Sequence, residues 1–523
     1  MKTARIELNE QFKKALEVME QASGNIFVTG KAGTGKSTLL DYFRKHTRQK
    51  IAVLAPTGVA ALNVCGETIH SFFGFKPDIT LDKVKKLKGS RGRIYKEIDA
   101  IVIDEVSMVR ADLLDCVDKF LRLNARESRK AFGGVRMFFF GDLYQLPPVV
   151  TAKERGIFSR HYDSHYFFAA QAFREIGSPE LIELDKIYRQ TDPAFIQLLN
   201  VIRNNSVTDA DLLGLNQRVG AKLLSPAPRK KLSVYLTTTN QRASQINAEY
   251  LGKLKAKIHT YDAQIDGDFK EQSYPTDCRL ALGVGAQVML LNNDSQGRWV
   301  NGSIGQVADI RNNEDKDDSV FVRFCEGGTV EVLPYAWEIF HFSFNADTSQ
   351  IETESLGSFT QYPLRLAWAI TIHKSQGKTF ERVIIDMGRG SFAHGQTYVA
   401  LSRCRSLEGI SLVRPIRKSD IFMDWRIVKF MTGYQYALSE RNMPLEEKVS
   451  AIKQAIKSNS RLEITYLKAT DEKSRRIVKP LNVGTKVYLD KEFLGLEAYC
   501  TQRRENRVFR VDRILELKVT ADS

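Results

Sequence analysis

The hydrophobic pattern changes character along the chain. In the first 150 residues apolar positions come in short unbroken runs, IFVT at 26–29, the stretch at 51–55, AIVI at 100–103 and MFFF at 137–140. Runs without alternation are what strands buried on both faces leave, so a parallel sheet covered by helices is predicted. Between 282 and 358 the runs at 287–291, 304–310, 320–324 and 329–333 are separated by Asn-Gly and Gly-Gly turns, which predicts a small barrel. After a helical stretch over 426–450, strands are expected again at 462–466, 475–481, 496–500 and 507–514. The pattern reads as an α/β chain with two strand-rich modules. Its start, MKTARIELNEQFKKAL, is an amphipathic helix without the apolar core of a signal peptide, and no run approaches the roughly 20 apolar residues of a membrane span. A cytoplasmic chain is expected.

Composition sharpens this in two ways. At 523 residues, with 43% hydrophobic and 27% charged positions, the chain is too long for one core and ordinary enough in composition to build several. The net charge of +15 attracts polyanions through counterion release and steering, and nucleic acid is the first candidate. The six cysteines stand singly, without zinc or redox spacing, and read as reduced thiols.

The chemistry starts where the first apolar run meets GKAGTGKS at 30–37, followed by the helical TLLDYF. In that strand-loop-helix context the sequence is a phosphate loop. Gly33, Thr34 and Gly35 let backbone N–H groups wrap the phosphates of ATP, and the helix that begins near Thr38 adds its positive end. Lys36 neutralises the β and γ oxygens, while Ser37 offers its hydroxyl to Mg²⁺. The run at 100–103 ends in Asp104-Glu105, where Asp104 is placed to hold Mg²⁺ and Glu105 to deprotonate the attacking water. The run at 137–140 leads into GDLYQLPP, so Gln145 either reaches the γ-phosphate or is an ordinary polar turn residue.

As an ordered set, GKAGTGKS, APTGVAAL, IDEVSM and GDLYQLPPV resemble the superfamily-one helicases. With DKIYRQ at 185–190, LTTTN at 236–240, TIHKSQGKT at 371–379 and YVALSR at 398–403, the chain looks like the petite-integration-frequency (PIF-type) helicases, relatives of the RecD-like enzymes, over its first 430 residues. The resemblance implies two tandem RecA-like domains with ATP and Mg²⁺ between them and 5′-to-3′ movement on single-stranded DNA. It implies domain 1A over 1–184 with a basic, wedge-like insertion at 71–97, domain 2A over 185–281 and 359–425, and a barrel, 2B, over 282–358. Arg189 and Arg403 match the family arginines that touch the γ-phosphate; Gln11 matches the residue that reads the adenine, and Gly377 joins the nucleotide set. Strand contacts are implied at Pro56, Thr57, Gly58, His70 and Phe72 on the first half and at Thr238, His373, Lys374 and Ser375 on the second. Residues 451–523 resemble a WYL domain, although Leu494-Gly495-Leu496 stands where that family carries its name. Expected partners are single strands and duplex junctions, with a further nucleic-acid or small-ligand contact through the tail; the chain is expected to be a monomer. A reading from another class is a DNA-binding regulator switched by ATP and sensing a ligand through the tail.

Overall fold

The computed structural model describes residues 9–76, 79–88, 92–150, 152–221, 232–312, 317–324, 327–345, 350–488 and 491–520. Contacts divide it into two compact units, Met1–Arg203 with Val207–Phe422, and Asn204–Ser206 with Met423–Ser523.

The first unit opens on a six-stranded parallel sheet: β1 (Ile26–Gly30), β2 (Ile51–Ala55), β3 (Glu67–Thr68), β4 (Ala100–Ile103), β5 (Arg136–Phe140) and β6 (Glu180–Leu184), in the order β3-β2-β4-β5-β1-β6. β1 and β4 are buried at every position, as their unbroken apolar runs require. Helices α1 (Glu10–Gln21) and α2 (Lys36–His46) cover one face, where Met19, Leu39, Leu40 and Phe43 pack with Ile26, Val28, Val102 and Phe138. The cap of α1 is Asn9, whose Oδ1 accepts from the Phe12 N–H at 2.7 Å. A short α3 (Gly58–Asn63) follows β2 and is capped by Thr57. Because all six strands run the same way, the loops after β1, β2, β4, β5 and β6 gather at one carboxyl edge, the usual ligand edge of such sheets.

A second parallel sheet has the order Ala369–Thr371, Val234–Thr237, Val383–Asp386, Ile410–Leu412. Here too the pairing of Thr371 with Thr237 brings the segments after both strands to the same edge. The strand-rich insertion forms a five-stranded antiparallel sheet from Gln287–Leu290, Ile304–Arg311, Ser319–Phe324, Thr329–Val332 and Leu364–Leu366, with Val288, Val307, Val320 and Val322 inside. Further strands extend it: Ile258–Asp262 pairs with Arg279–Gly283, and Gln264–Gly267 joins a sheet with Tyr335–Asn345 and Gln350–Gln361. The strands thus begin before residue 282 and end beyond 358. Gln264–Gly267 is exposed at all four positions, so no apolar period marks it.

In the second unit the helix Trp425–Asn442 precedes Leu445–Lys457, which buries Ile452 and Ala455 in the core of a five-stranded sheet with Leu462, Ile464, Val478 and Leu496. Residues 445–457 therefore belong to this core instead of linking to it. Among the described residues no helix is long and apolar enough to cross a membrane.

Candidate functional site

The loop after β1 turns through two left-handed glycines, Gly33 at φ 84° and Gly35 at φ 88°. A side chain at either would also collide: a Cβ on Gly33 meets Arg189 Cβ at 2.6 Å, and one on Gly35 meets the Phe12 ring at 2.9 Å. The Tyr188 N–H donates to the Gly33 carbonyl at 2.9 Å, which is how the segment after β6 delivers Arg189 to the loop. Lys36 donates from Nζ to the carbonyls of Gly30 and Lys31, at 2.7 and 3.2 Å. Burial lowers its pKa, opposed by the charges of Asp142, Glu105 and Asp104.

Asp104 and Glu105 leave β4 at the same edge. Glu105 holds a left-handed backbone, φ 50° and ψ 43°, which costs a side-chain-bearing residue about 1–2 kcal/mol and turns its carboxylate out of the strand line. Burial raises the pKa of both carboxyls, and the charge of Glu105 raises that of Asp104 further. Gln145 is 6% exposed and donates from Nε2 to Asp142 Oδ2 at 3.3 Å.

The second sheet completes this site. The helix Gln396–Leu401 starts at Gly395, whose φ is 70° and where a Cβ would lie 2.4 Å from the Tyr144 carbonyl, so the two lobes touch backbone to backbone. Tyr398 accepts the Ala32 N–H of the phosphate loop on its hydroxyl at 2.9 Å. Arg189 Nη1 donates to the Ser402 carbonyl at 3.2 Å, and Gln190 to the carbonyls of Ser402 and Cys404. Arg403 is 1% exposed and donates to Val399 O, Ser402 Oγ and Ser375 O. Burial and the neighbouring Arg189 charge both disfavour its charged form, a cost that an anion between the two guanidiniums would remove. Lys36, Glu105, Gln145, Arg189 and Arg403 all line one cavity of about 730 Å³, with Gly33, Gly35, Ser37, Thr38 and Gly377 also in its wall.

Other expected residues stand apart from that wall. The Thr34 side chain is buried and donates to the Lys31 carbonyl at 2.9 Å, so it shapes the loop. The Gln11 amide donates to the Glu183 carbonyl and accepts from the Asp185 N–H, which fixes it beside the end of β6.

A PIF1-like helicase model matches residues 6–211, and a WYL domain model matches residues 447–519. The ATP-dependent DNA helicase Pif1 of Bdellovibrio bacteriovorus is 31% identical over a 459-residue alignment that covers 83% of this chain and 94% of that protein. The chain belongs to the PIF1-like helicase family. Against the mouse ATP-dependent DNA helicase PIF1 it is 33% identical across 79% of its length, and it spans 61% of that longer relative. Pif1 from Bacteroides sp. in complex with ADP-AlF4 is 39% identical over 82% of this chain and 97% of its own, with a TM-score of 0.72. The same protein bound to ssDNA gives 40%, the same coverage and 0.59. This chain thus combines two tandem RecA-like α/β domains and a strand-rich insertion with a C-terminal WYL-like module.

Within this PIF1-like frame the expected strand residues divide. Pro56, Thr57, Gly58 and His70 line a groove of about 430 Å³, facing Lys270 and Ser273 of the turn between two accessory strands. Phe72 does not: it is fully buried, its ring 5.3 Å from Tyr95 and 4.9 Å from Phe73, so it is core and not a base platform. Thr238 and His373 are half-buried and Lys374 is exposed at the edge of the second sheet. Ser375 departs from its expected contact, being fully buried with its hydroxyl donating to the Ile372 carbonyl at 2.7 Å. Its carbonyl instead accepts from Arg403, which ties this motif to the arginine. Residues 77–78 and 89–91 of the basic insertion lie outside the described residues.

Sequence reading missed several members of the site. Arg203 Nη2 pairs with Asp142 Oδ1 at 3.2 Å, with both side chains buried, and its guanidinium lies 3.7 Å from the Tyr144 ring centre. Phe392, 63% exposed, stacks against His373 at 6.3 Å and 14°. The motif strings contained Asp142 and Tyr398; nothing in them singled out their partners on the opposite lobe.

Proposed function

We propose that the chain is an ATP-dependent DNA helicase that translocates 5′ to 3′ on single-stranded DNA and separates duplexes, with hydrolysis gated by closure of the cleft between the lobes. The reading rests chiefly on one cavity, built from both lobes, that gathers Lys36, Glu105, Gln145, Arg189 and Arg403. The loop amides and Lys36 bind the phosphates of ATP, and Glu105 takes the proton of the attacking water at its carboxylate. Gln145, held by Asp142, orients the γ-phosphate. Arg189 and Arg403 stabilise the charge that develops there, so turnover needs the second lobe in place; such arginines are worth about 10³ to 10⁵ in rate. Ser37 and Asp104 would hold Mg²⁺, which spreads the charge of the β and γ oxygens when bound. The donor set fits a hard cation, since Asp104 is buried with a raised pKa and makes no ion pair among the described residues.

Motion follows from the same geometry. Pro56, Thr57, Gly58 and His70 ride on one lobe and Thr238, His373 and Lys374 on the other, so each cycle of closing and opening shifts two grips on the strand. Bacteroides Pif1 is known bound to ssDNA, and a similar Pif1 structure is described as the basis of DNA unwinding at forked dsDNA by two coordinating helicases, which supports single strands and junctions as partners of this chain. The tail is proposed as an additional contact for phosphate-bearing ligands. A pocket of about 510 Å³ there is lined by Tyr466, Arg476 and Arg507, and Arg476 is 8% exposed with no ion pair among the described residues. We place the protein in the cytoplasm, as a monomer in solution.

Strand displacement on duplexes with a 5′ or a 3′ single-stranded tail tests the reading. ATP-dependent unwinding of the 5′-tailed substrate alone is expected, lost in Lys36→Ala. Unwinding that survives that substitution, or ATP turnover indifferent to single-stranded DNA, would overturn it and favour an ATP-switched regulator.

A further inference from the structure

Asn301 opens the Asn-Gly turn of the barrel and touches three parts of the first unit at once. Its Nδ2 donates to Asn63 Oδ1 at 3.0 Å, at the last residue of α3. Its Oδ1 accepts from Lys378 Nζ at 2.6 Å, beyond the HKSQG segment of the second lobe. Its own N–H donates to Asn293 Oδ1 at 2.8 Å, which fixes the turn to the barrel. Gly302, at φ 95°, lets the turn lie along Lys378, whose Cγ would be 3.4 Å from a Cβ there. One amide therefore joins both lobes to the accessory strands.

Lys378 is an unusual ammonium. It is 9% exposed and makes no ion pair among the described residues. Burial, reinforced by the positive charge of Arg365, pushes its pKa down to about 8. A buried cation held by a neutral amide is poorly compensated, and a phosphate oxygen would add the opposing charge that the amide lacks. The groove next to this junction is narrowed on one side: a Cβ on Gly58 would lie 3.1 Å from Ser273 Cα, so the turn Glu271–Ser273 rests on Gly58, one of the expected strand contacts.

We propose that Asn301 is a latch: it ties Lys378 and α3 together while the groove is narrow, and Lys378 passes from the Asn301 amide to a phosphodiester of the single strand when the groove widens. The proposal rests on the helicase reading. It makes Lys378 a phosphate contact and Asn301 a positioning residue that sets how readily the strand enters.

The test is fluorescence anisotropy of a labelled oligo-dT strand against the full chain across a range of NaCl concentrations. Asn301→Ala removes the latch and is expected to tighten binding about five- to ten-fold. Asn301→Asp sets a carboxylate against Lys378 and is expected to weaken binding. Lys378→Met should weaken binding and make the slope of log affinity against log salt shallower by about 0.7, one phosphate contact fewer on a single strand. A folding defect would push both Asn301 variants the same way, so their opposite signs separate the latch from general damage. Equal or weaker binding by Asn301→Ala, or an unchanged slope for Lys378→Met, overturns the proposal. If the wild type itself binds no oligo-dT, the helicase reading falls with it; if it binds and the variants do not differ, the latch alone falls.

Discussion

Arg403 shows what a single residue contributes and how it is held. The guanidinium is bonded to Val399 O, Ser402 Oγ and Ser375 O, so its position is set before any nucleotide arrives. Preorganised charge of this kind stabilises a transition state without reorganising during the reaction. Arg403→Ala is expected to lower the kcat for ATP by about 10³-fold or more while leaving nucleotide affinity within about ten-fold, because Lys36 and the loop amides remain. Steady-state turnover read beside equilibrium binding of a fluorescent ATP analogue checks this; a loss confined to affinity would remove Arg403 from the catalytic set. The residue scale is also where sequence reading divides most sharply. Lys36, Asp104 and Glu105 were legible because each follows a buried strand at a fixed offset. Phe72 was not, since TIHSFFGF gives no sign of which ring turns inward; packing with Phe73 and Tyr95 decided it.

At the scale of elements, the short helix Gln396–Leu401 joins the two lobes. Gly395 at its start lies against the Tyr144 and Gln145 carbonyls, and Tyr398 one turn on reaches the Ala32 amide. Gly395→Val would force a left-handed φ on a β-branched residue and drive its Cβ into the backbone opposite. The helix should then withdraw from the loop after β5, taking Arg403 with it. The expected outcome is ATPase activity reduced at least 100-fold in a protein that still binds nucleotide through the phosphate loop, measured by turnover and analogue binding together. Retained turnover would mean that the lobes do not need this contact. The apolar runs predicted the strands that carry these loops, and β1 and β4 are buried at every position. They could not predict Gln264–Gly267, an exposed strand held in a sheet by backbone pairing to residues about 90 positions away.

For the whole molecule, a net charge of +15 favours association with any polyanion. The tail offers Arg476 and Arg507 around one pocket, on a core of its own. Arg476→Gln in the full chain should leave DNA-independent ATP turnover unchanged and weaken oligo-dT binding two- to five-fold, with a shallower salt dependence. Salt titrations of both proteins would show it, and identical slopes would rule out a phosphate contact at Arg476.

The sequence by itself determined the chemistry of the nucleotide site, since a phosphate loop, a carboxylate pair and the glycines between them act through local backbone geometry and adjacent offsets. It likewise determined the presence of a parallel sheet, because strands buried on both faces must be apolar throughout. Only the tertiary structure decided which residues work across the lobes: Arg203 with Asp142, Tyr398 with Ala32, and Asn301 between Asn63 and Lys378. Such pairs are 61 to 366 positions apart, and their meeting depends on how the lobes and the barrel pack, which no local pattern of polar and apolar residues encodes.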